Sequence, residues 1–257
     1  MKVRRLHRWD LSPRAAIRLQ ERLRRRLVLR GGPRAPRWIA AADASFDDRF
    51  VYGVAVLWDA TRGETVEVRS ARRPLTFPYV PGLLSFREAP TLLDAFRKLS
   101  RRPDLVLADG QGIAHPRGFG VACHLGLLLD VPTIGVAKSL LVGDHHALPR
   151  RAGATAALHF RGKQVGWALR SRAGVRPVFV SPGHRVALAV APRLVRATLR
   201  GFRLPEPIRG ADSVSKRIRT EAERDVSRSA EGPSAAPITR ATRAPVDPRS
   251  SADPGRR

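Results

Sequence analysis

The order of the apolar segments limits the fold that this chain can adopt. Three segments with the composition of β-strands come first, at residues 38–43, 51–58 and 65–69. Short turn-forming stretches join them at residues 47–49 and 61–63, and strands joined in this way form an antiparallel meander. The first part of the sheet is therefore predicted to be antiparallel.

Helices and strands alternate after the meander. Helical spacing of apolar residues is followed each time by a short buried strand, which is typical of a sheet covered by helices. The helices lie near residues 90–99, 119–129 and 186–199, the buried strands at 105–109 and 132–136, and weaker strands at 165–169 and 177–180. We therefore predict an α/β protein with a mixed sheet flanked by helices in a single domain.

The two ends of the chain depart from this pattern. A helix is predicted to begin at Pro13 with Ser12 as its N-cap, so that residues 1–11 form a basic N-terminal arm. Near the C-terminus, Ser, Ala, Pro and Arg dominate and large apolar residues become rare, which is typical of disorder. The expected division is a domain at residues 12–217 and a disordered tail at residues 218–257.

The charge of the chain indicates a polyanionic partner. The sequence has 48 Lys and Arg residues against 22 Asp and Glu residues, a formal net charge of +26. This balance argues against a typical enzyme of small metabolites and favours nucleic acid or an anionic membrane face as the partner. Most of the cations are arginines, which is also consistent with coding bias, so the charge alone does not decide.

Composition excludes several other classes of protein. With one cysteine, Cys123, the chain has neither a disulfide framework nor a cysteine-rich zinc site. No apolar run approaches the length of a membrane-spanning helix, and residues 1–30 are too rich in arginine for a signal peptide. We therefore expect a soluble, cytoplasmic protein.

Asp43 and Asp109 are the first candidates for chemistry. Each is predicted to end an apolar strand, where a carboxylate is costly unless it is paired or ligated. Two carboxylates on neighbouring strands can converge on a divalent cation, and hard oxygen ligands suit Mg²⁺. The alternative is that each aspartate starts a turn, and Gly110 directly after Asp109 is a turn signal. The pair in this strand context favours the metal.

Glu88 and Lys138 are further candidates. Ser85 and Glu88 have the spacing of a capping box, but Pro90 is better placed in the first turn of a helix. In the second case Glu88 precedes the helix and can face the carboxylates. Lys138 follows a buried strand in a chain whose cations are mostly arginines. This favours a need for a compact ammonium, although an ordinary cation at a strand end is also consistent.

Two loops are unusual. His115 lies in the glycine-rich segment 109–116, whose glycines let the backbone approach a ligand closely, although a lone histidine is more often structural. Two prolines stiffen the backbone around Tyr79 in segment 78–82. An exposed tyrosine there can act as a wedge or stacking platform for bases, and the alternative is a tight turn with Tyr79 packed on the core.

Together these segments resemble the endonuclease V family, the deoxyinosine-specific repair nucleases. The resemblance rests on residues 78–88 (PYVPGLLSFRE), 109–117 (DGQGIAHPR) and 132–139 (PTIGVAKS), with shorter matches at 181–185 and 203–212. It covers residues 12–217 and implies a ribonuclease-H-like fold in which this segment is the catalytic domain.

The resemblance implies roles for the candidate residues. Asp43 and Asp109 would bind Mg²⁺, for which Mn²⁺ would substitute, and Glu88 and Asp212 would complete the acidic site. The remaining roles are the scissile phosphate for Lys138 and His115, the DNA wedge for Pro78, Tyr79, Val80 and Pro81, and the base pocket for the backbones of Gly82, Leu84, Gly110 and Val121.

The expected function is a Mg²⁺-dependent DNA repair endonuclease. It would act as a monomer and nick DNA at the second phosphodiester bond on the 3′ side of deoxyinosine, a deaminated adenine. Cleavage of inosine-containing RNA is a second hypothesis, because no detector of a 2′-hydroxyl is visible in the sequence. A non-catalytic nucleic-acid-binding protein is a third, which four carboxylates facing a phosphate backbone disfavour.

Overall fold

Nine strands form one mixed sheet in the computed structural model, which describes residues 1–230 of the chain. The strands are β1 (Trp38–Phe46), β2 (Phe50–Asp59), β3 (Glu64–Pro74), β4 (Leu105–Asp109), β5 (Thr133–Ala137), β6 (Asp144–His145), β7 (Thr155–Phe160), β8 (Lys163–Leu169) and β9 (Val178–His184). Their order across the sheet is β3-β2-β1-β4-β5-β9-β8-β7-β6.

The pairing confirms the predicted mixed sheet and the ribonuclease-H-like fold. Strands β1, β2 and β3 form the antiparallel meander, and β4 and β5 continue the sheet in parallel with β1. Strands β9, β8, β7 and β6 extend it with antiparallel pairs. Sequence reasoning did not find β6 and β7, because β6 has two residues and most of β7 is only partly buried, which leaves no clear alternation.

Within residues 1–230, five helices cover the sheet. They are α1 (Pro13–Arg24), α2 (Leu84–Arg97), α3 (Val121–Leu129), α4 (Ala191–Arg196) and α5 (Glu206–Ala230). Helix α1 begins as predicted, since the Ser12 hydroxyl accepts a hydrogen bond from the Ala15 amide. Helix α4 is shorter than the predicted segment 186–199.

Alternate residues of the central strands face opposite layers of helices. In β1, Ile39 and Ala41 pack in a core with α4 and α5, whereas Ala40 and Ala42 pack in a core with α2 and α3. Strand β4 follows the same alternation. A third core joins α1 to the outer side of the α2 and α3 layer. The odd-numbered positions of β1 and the corresponding positions of β4 therefore face α5.

Helix α2 begins earlier than predicted. It starts at Leu84 and contains Pro90, with Leu83 as an N-cap that makes no side-chain hydrogen bond. The capping box is therefore not formed, and the prediction that Glu88 precedes the helix is wrong. The buried apolar face of α2 includes Phe86 and Ala89, so burial of this first part outweighs the hydrogen bond that Pro90 cannot donate.

Helix α5 was not predicted, and it reaches into the segment 218–257 that was expected to be disordered. Its first half is anchored by Ile208 and Ala211, which are fully buried against the sheet. Its second half carries pairs of opposite charge one helical turn apart, at Arg217 and Glu221 and at Arg219 and Glu223. The part of the predicted tail at residues 231–257 lies outside the described residues.

The N-terminal arm packs on the domain. Leu6 and Trp9 contact the cores of the α2 and α3 layer, and the His7 Nε2 lies 2.7 Å from Nε2 of the buried His124. Arg4 pairs with Asp130. Residues 1–11 are therefore part of the folded structure, although their composition resembles a solvated basic arm.

None of the helices within residues 1–230 combines the length and the apolar composition that crossing a bilayer requires.

Candidate functional site

Asp43 and Asp109 lie side by side on parallel neighbours of the sheet. Strands β1 and β4 pair with Ala42 opposite Ala108, so each aspartate is the next residue along its strand. Both occupy the positions that face α5. Asp109 ends β4 as predicted, but β1 continues past Asp43 to Phe46, so the prediction that Asp43 ends its strand is wrong. A longer antiparallel pairing with β2 extends β1 beyond the site.

Helix α5 brings a third aspartate to this pair. Oxygens of Asp43, Asp109 and Asp212 all lie within 4.8 Å of one another. One turn after Asp212, Ser215 donates a 2.6 Å hydrogen bond from its hydroxyl to Oδ2 of Asp43. Ser45 in turn donates to the Ser215 carbonyl at 2.7 Å, which fastens the helix to β1. The packing of α5 therefore sets the geometry of the acidic cluster.

Lys138 bridges two of the three aspartates. It follows the end of β5, the parallel neighbour of β4, and its ammonium lies 2.6 Å from Oδ2 of Asp109 and 2.6 Å from Oδ1 of Asp212. Lys216 also pairs with Asp212, at 2.7 Å from its Oδ2. The predicted lysine thus lies at the acidic cluster, and its side chain is 39% exposed, which leaves it accessible to a ligand.

Glu88 reaches the same site from the opposite layer. It is buried in α2 and it interacts electrostatically with Asp43 and Asp109. It is not among the three residues whose oxygens lie within 4.8 Å of one another. The structure therefore places Glu88 beside the cluster rather than within it.

Burial and mutual repulsion raise the pKa values of the carboxyl groups. Burial raises the pKa of Asp43 to about 6, with a further contribution from the charges of Asp109 and Asp212. Burial also raises the pKa of Asp109, and it raises that of Glu88 well above the usual range with the help of the two neighbouring aspartates. The protein groups around these carboxyls therefore do not fully stabilise their negative charge.

Lys138 and Lys216 lower the pKa of the carboxyl group that they contact. Burial alone would raise the pKa of Asp212, but hydrogen bonds from Lys138 and Lys216 hold it below its usual range. Burial alone would lower the pKa of Lys138, and Asp109 and Asp212 raise it instead, so this side chain stays an ammonium throughout the physiological range. These two ammonium groups do not balance the carboxyl groups of Asp43, Glu88, Asp109 and Asp212.

The donor set fits a hard divalent cation. It consists of carboxylate oxygens, the ligands that Mg²⁺ and Mn²⁺ prefer, and the raised pKa values of Asp43 and Asp109 are consistent with a cation that offsets their charge. Ser215 donates to Oδ2 of Asp43 and Lys138 donates to Oδ2 of Asp109, and one oxygen of each of these carboxylates lies within 4.8 Å of an oxygen of Asp212. The residues present therefore fit a metal centre.

A cavity of about 430 Å³ opens beside the acidic cluster. Asp43, Glu88, Asp109 and Lys138 line one end of it. The rest of its wall includes all four residues predicted for the base pocket, Gly82, Leu84, Gly110 and Val121. The structure thus brings the predicted pocket and the acidic residues into one continuous space.

Two glycines shape this cavity. Gly82 and Gly110 have φ angles of 78° and 141°, in the left-handed region that disfavours other residues. A Cβ atom on Gly110 would lie 2.7 Å from a methyl group of Val121 across the wall. Both positions therefore require glycine, and both keep backbone rather than side chain at the cavity surface.

Tyr79 projects from the rim of the cavity. It is 73% exposed, in a segment without regular secondary structure, and it lines the cavity together with Val80 and Pro81. The alternative in which Tyr79 packs on the core is therefore wrong. Its position fits a group that enters a DNA duplex while the adjoining cavity holds a base.

His115 lies in the cavity wall and is buried. Its Nε2 donates to the Gly82 carbonyl at 2.9 Å, and its Nδ1 accepts from the Arg117 amide at 3.2 Å. Burial, with the nearby charge of Arg117, lowers the pKa of His115 to about 4, so the imidazole is neutral at pH 7. The structure therefore places this residue against the wedge segment, with both ring nitrogens engaged.

Gln20 was not identified as a site residue from the sequence. Its side chain connects two walls of the cavity through hydrogen bonds. Its amide donates to the carbonyls of Gly82 and Phe119, at 3.0 and 3.1 Å, and its oxygen accepts from Arg117 at 2.5 Å. Gln20 is fully buried in an otherwise amphipathic helix, and a polar residue on the apolar face of α1 was the signal that could have revealed it.

Two other site residues were also missed. Ser215 holds Asp43, and its spacing of three residues from Asp212 becomes informative only once α5 is known to be a helix. Gln111 lines the cavity, and its amide donates to the Ser139 carbonyl at 3.0 Å. Its oxygen is buried without a hydrogen-bond partner within residues 1–230, which makes it an acceptor available to a ligand.

Comparisons with known proteins agree on one family. The sequence model of the family described as Endonuclease V matches residues 21–213. Endonuclease V of Gloeobacter violaceus is 46% identical over 219 residues, which cover 83% of this chain and 89% of that protein.

Solved structures show the same similarity. The crystal structure of Endonuclease V from Streptomyces avermitilis has a TM-score of 0.80 and 40% identity, and the match covers 87% of this chain and 100% of that one. Endonuclease V of Ciona intestinalis shares the fold at 24% identity, with a TM-score of 0.70 over 80% of this chain and 96% of that one. It was crystallised with a 24mer DNA containing an inosine followed by a ribo-adenosine.

Proposed function

Since this chain belongs to the endonuclease V family and is a deoxyribonuclease, we propose that it is a DNA repair enzyme that recognises deoxyinosine. The proposed reaction is Mg²⁺-dependent hydrolysis of the second phosphodiester bond on the 3′ side of the lesion, and we expect Mn²⁺ to substitute. Residues 12–217 are the proposed catalytic domain, and all the proposed site residues lie within them.

The observation that carries this proposal is the continuity of the acidic cluster with the cavity. Asp43 and Asp109 line a space whose other walls include backbone, apolar groups and the polar side chains of residues such as Gln111. The space suits a single nucleobase taken out of the duplex, and the acidic end suits a phosphate that reacts with the help of a metal. A flipped base and a phosphate can therefore occupy the site together.

Asp43 and Asp109 are the residues that would hold the metal, with Asp212 and Glu88 beside them. A bound Mg²⁺ supplies neutralisation of phosphate charge and a water of lowered pKa. Ser215 orients the Asp43 carboxylate by donating to its Oδ2. The ammonium of Lys138 remains protonated and is placed to donate to an oxygen of the scissile phosphate, where it stabilises the charge that builds up during the reaction.

The wedge and the pocket provide the selection of the lesion. Tyr79, on the stiff segment from Pro78 to Pro81, fills the space that the everted nucleotide leaves in the duplex. The backbones of Gly82, Leu84, Gly110 and Val121 then read the hypoxanthine. Deamination turns N1 of the purine from an acceptor into a donor, so acceptors in the wall, the Gln111 oxygen among them, favour inosine over adenosine.

The proposed role of His115 differs from the one that the resemblance implies. The resemblance implies that it lies at the scissile phosphate, whereas its nitrogens contact the backbone of Gly82 and Arg117. A neutral imidazole in this position supports the wedge segment from behind. We propose that its effect on cutting is exerted through the placement of Tyr79 and Gly82.

The relative placement of cavity and cluster supports a cut at a phosphate beside the lesion rather than at the lesion itself. A nucleotide held in the cavity places a neighbouring phosphate, and not its own glycosidic bond, over Asp43 and Asp109. Water attack at phosphorus would leave a 3′-hydroxyl and a 5′-phosphate, with the damaged base still in the DNA. Repair of chromosomal DNA in the cytoplasm of a bacterial cell is the proposed setting.

Nicking assays on matched inosine-containing DNA and RNA oligonucleotides test the proposal. We expect cutting of the DNA in Mg²⁺ and none after chelation. Cutting of the RNA alone would favour the endoribonuclease hypothesis, and binding without cutting in either metal would favour a non-catalytic protein. Sedimentation of the protein alone tests the expected monomer.

A further inference from the structure

A second cavity lies on the other side of His115. Its volume is about 480 Å³, and it runs between the end of α1, the loop at residues 113–118 and the hairpin of β7 and β8. His115 lines both this cavity and the one beside the acidic cluster. We call the second cavity the hairpin groove. Its only connection to the proposed chemistry among the described residues is that shared wall.

The hairpin groove is lined by cations over an apolar floor. Arg24, Arg161 and Lys163 are exposed along it, and no acidic residue of the described chain lines it. Within residues 1–230, none of these three side chains takes part in an ion pair, in contrast to Lys138 and Lys216 at the acidic cluster. Unpaired cations around a cleft are complementary to a ligand that carries negative charge.

The tip of the hairpin is held in one conformation. Arg161 and Gly162 have φ angles of 52° and 71°, as in a two-residue type I′ turn, and Phe160 pairs with Lys163 across it. The Arg161 guanidinium lies 5.0 Å from the centre of the Phe160 ring. A preorganised turn that carries two cations beside an aromatic ring suits a nucleic-acid strand, because phosphates bind the cations and bases stack on the ring.

The wall of the hairpin groove opposite the hairpin contains a close contact between Arg24 and Gly118. Arg24 packs over Gly118, and a Cβ atom at Gly118 would lie 2.7 Å from Nε of Arg24. Glycine at this position lets the guanidinium reach over the loop at the edge of the groove. The cations therefore stand on both sides of the floor formed by Leu27, Ile113 and Val165.

We propose that the hairpin groove binds the lesion-containing DNA strand on the 5′ side of the inosine, an inference that rests on the proposed function. The scissile phosphate on the 3′ side lies over the carboxylates, and the everted base occupies the first cavity. A strand that continues past the base in the opposite direction crosses the wall at His115 and enters the groove. Arg161, Lys163 and Arg24 bind its phosphates.

Binding of fluorescein-labelled inosine duplexes in EDTA, followed by anisotropy, tests this directly. The test variant is R161A/K163A, and the matched control is R150A/R151A, which removes the same charge from exposed positions at the other end of β7. We expect about a 10-fold loss of affinity at ~0.1 M salt for the test variant, because two phosphate contacts are lost, and less than about a twofold loss for the control.

Neutral linkages show which side of the lesion is bound. Methylphosphonates at the two linkages 5′ to the inosine should weaken wild-type binding about 10-fold and should not weaken R161A/K163A further, because the contacts are the same ones. Methylphosphonates at two linkages beyond the cut on the 3′ side should affect both proteins equally. Equal losses for test and control variants, or coupling to the 3′ side, would overturn the inference.

The same variants separate the groove from the proposed function. Wild-type protein that binds the duplex but does not nick it in Mg²⁺ contradicts the proposed function, while the affinity differences still decide the groove. If the wild type nicks the duplex and the two variants bind it with equal affinity, only the inference about the hairpin groove is contradicted. In single-turnover nicking, R161A/K163A should need about 10-fold more enzyme for half-maximal rate and keep the wild-type maximal rate.

Discussion

Individual residues in the site are explained by the strands that carry them. Side chains point alternately to the two faces of β1 and β4, which places Asp43 and Asp109 on the same face, and the parallel pairing of the strands places them side by side. The sequence predicted that the two aspartates can converge from neighbouring strands, whereas the parallel pairing is a finding of the structure. Asp212 could not be placed in this way, because its position depends on how a separate helix docks.

Asp109→Asn should abolish cutting and preserve binding of the lesion. The substitution keeps the shape of the side chain at the end of β4 and removes a charge needed for the cation. We expect a loss of at least about 10²-fold in nicking rate and little change in affinity for an inosine duplex. Full activity of this variant, measured on a denaturing gel, would contradict the metal centre. Asp104→Asn, at an aspartate that bonds backbone amides of Arg37 and Trp38, is the control.

Tyr79→Ala should reduce discrimination more than it reduces overall binding. Stacking on a base contributes about 1–3 kcal/mol, which corresponds to about 5- to 150-fold in affinity. Affinity for undamaged duplex comes mainly from the basic surface and should change little. Tyr79→Phe keeps the ring and should retain the preference for inosine. Unchanged discrimination in the alanine variant would leave Tyr79 without the wedge role.

The metal-free protein should be destabilised by Asp43 as the pH rises. The folded pKa of about 6 lies above the ordinary value of 3.8, so the folded state favours the protonated carboxyl. Its contribution is present below pH 4 and is lost as the pH rises through 6. In EDTA, Asp43→Asn should therefore match wild type near pH 4 and be more stable by about 1–3 kcal/mol at pH 7.5. A difference that is independent of pH in urea unfolding would contradict this.

The departures of the helices from their predicted bounds have physical reasons. Helix α2 begins at Leu84 because packing of Phe86 and Ala89 outweighs the cost of Pro90 in its interior. Helix α5 has few apolar residues in its second half, so its composition resembles a disordered segment. The N-terminal arm shows the same difficulty, since its contacts through Trp9 and His7 depend on partners far away in the sequence.

The C-terminal helix allows a test of where the folded domain ends. A chain that stops after residue 230 should keep the wild-type melting temperature and nicking rate. A chain that stops after residue 217 loses Ile218, which packs against the α4 and α5 core, and should be less stable by about 1 kcal/mol. That corresponds to a melting temperature lower by about 2–4 °C. Equal melting temperatures for the two truncated chains would place the boundary at residue 217, as the sequence predicts.

The whole molecule combines a strongly basic chain with one concentrated acidic site. The net charge of +26 attracts DNA, while the clustered carboxylates oppose a phosphate until a cation is bound. Charge and family resemblance both pointed to nucleic acid, but neither could show that the pocket and the acidic cluster share one cavity. The continuity depends on the folded chain, because it forms where elements distant in sequence meet. These elements are the central strands β1, β4 and β5 and the helices α2 and α5.

The most direct test of the account is the size of the product made from a duplex with a single deoxyinosine. With a 5′ label on the lesion strand, Mg²⁺ should give one fragment that ends one nucleotide beyond the inosine and carries a 3′-hydroxyl. Chelation should abolish it, and the matched duplex with adenosine should stay intact. A break on the 5′ side of the inosine, or release of free hypoxanthine, would contradict the proposed placement of a base in the cavity and a phosphate over Asp43 and Asp109.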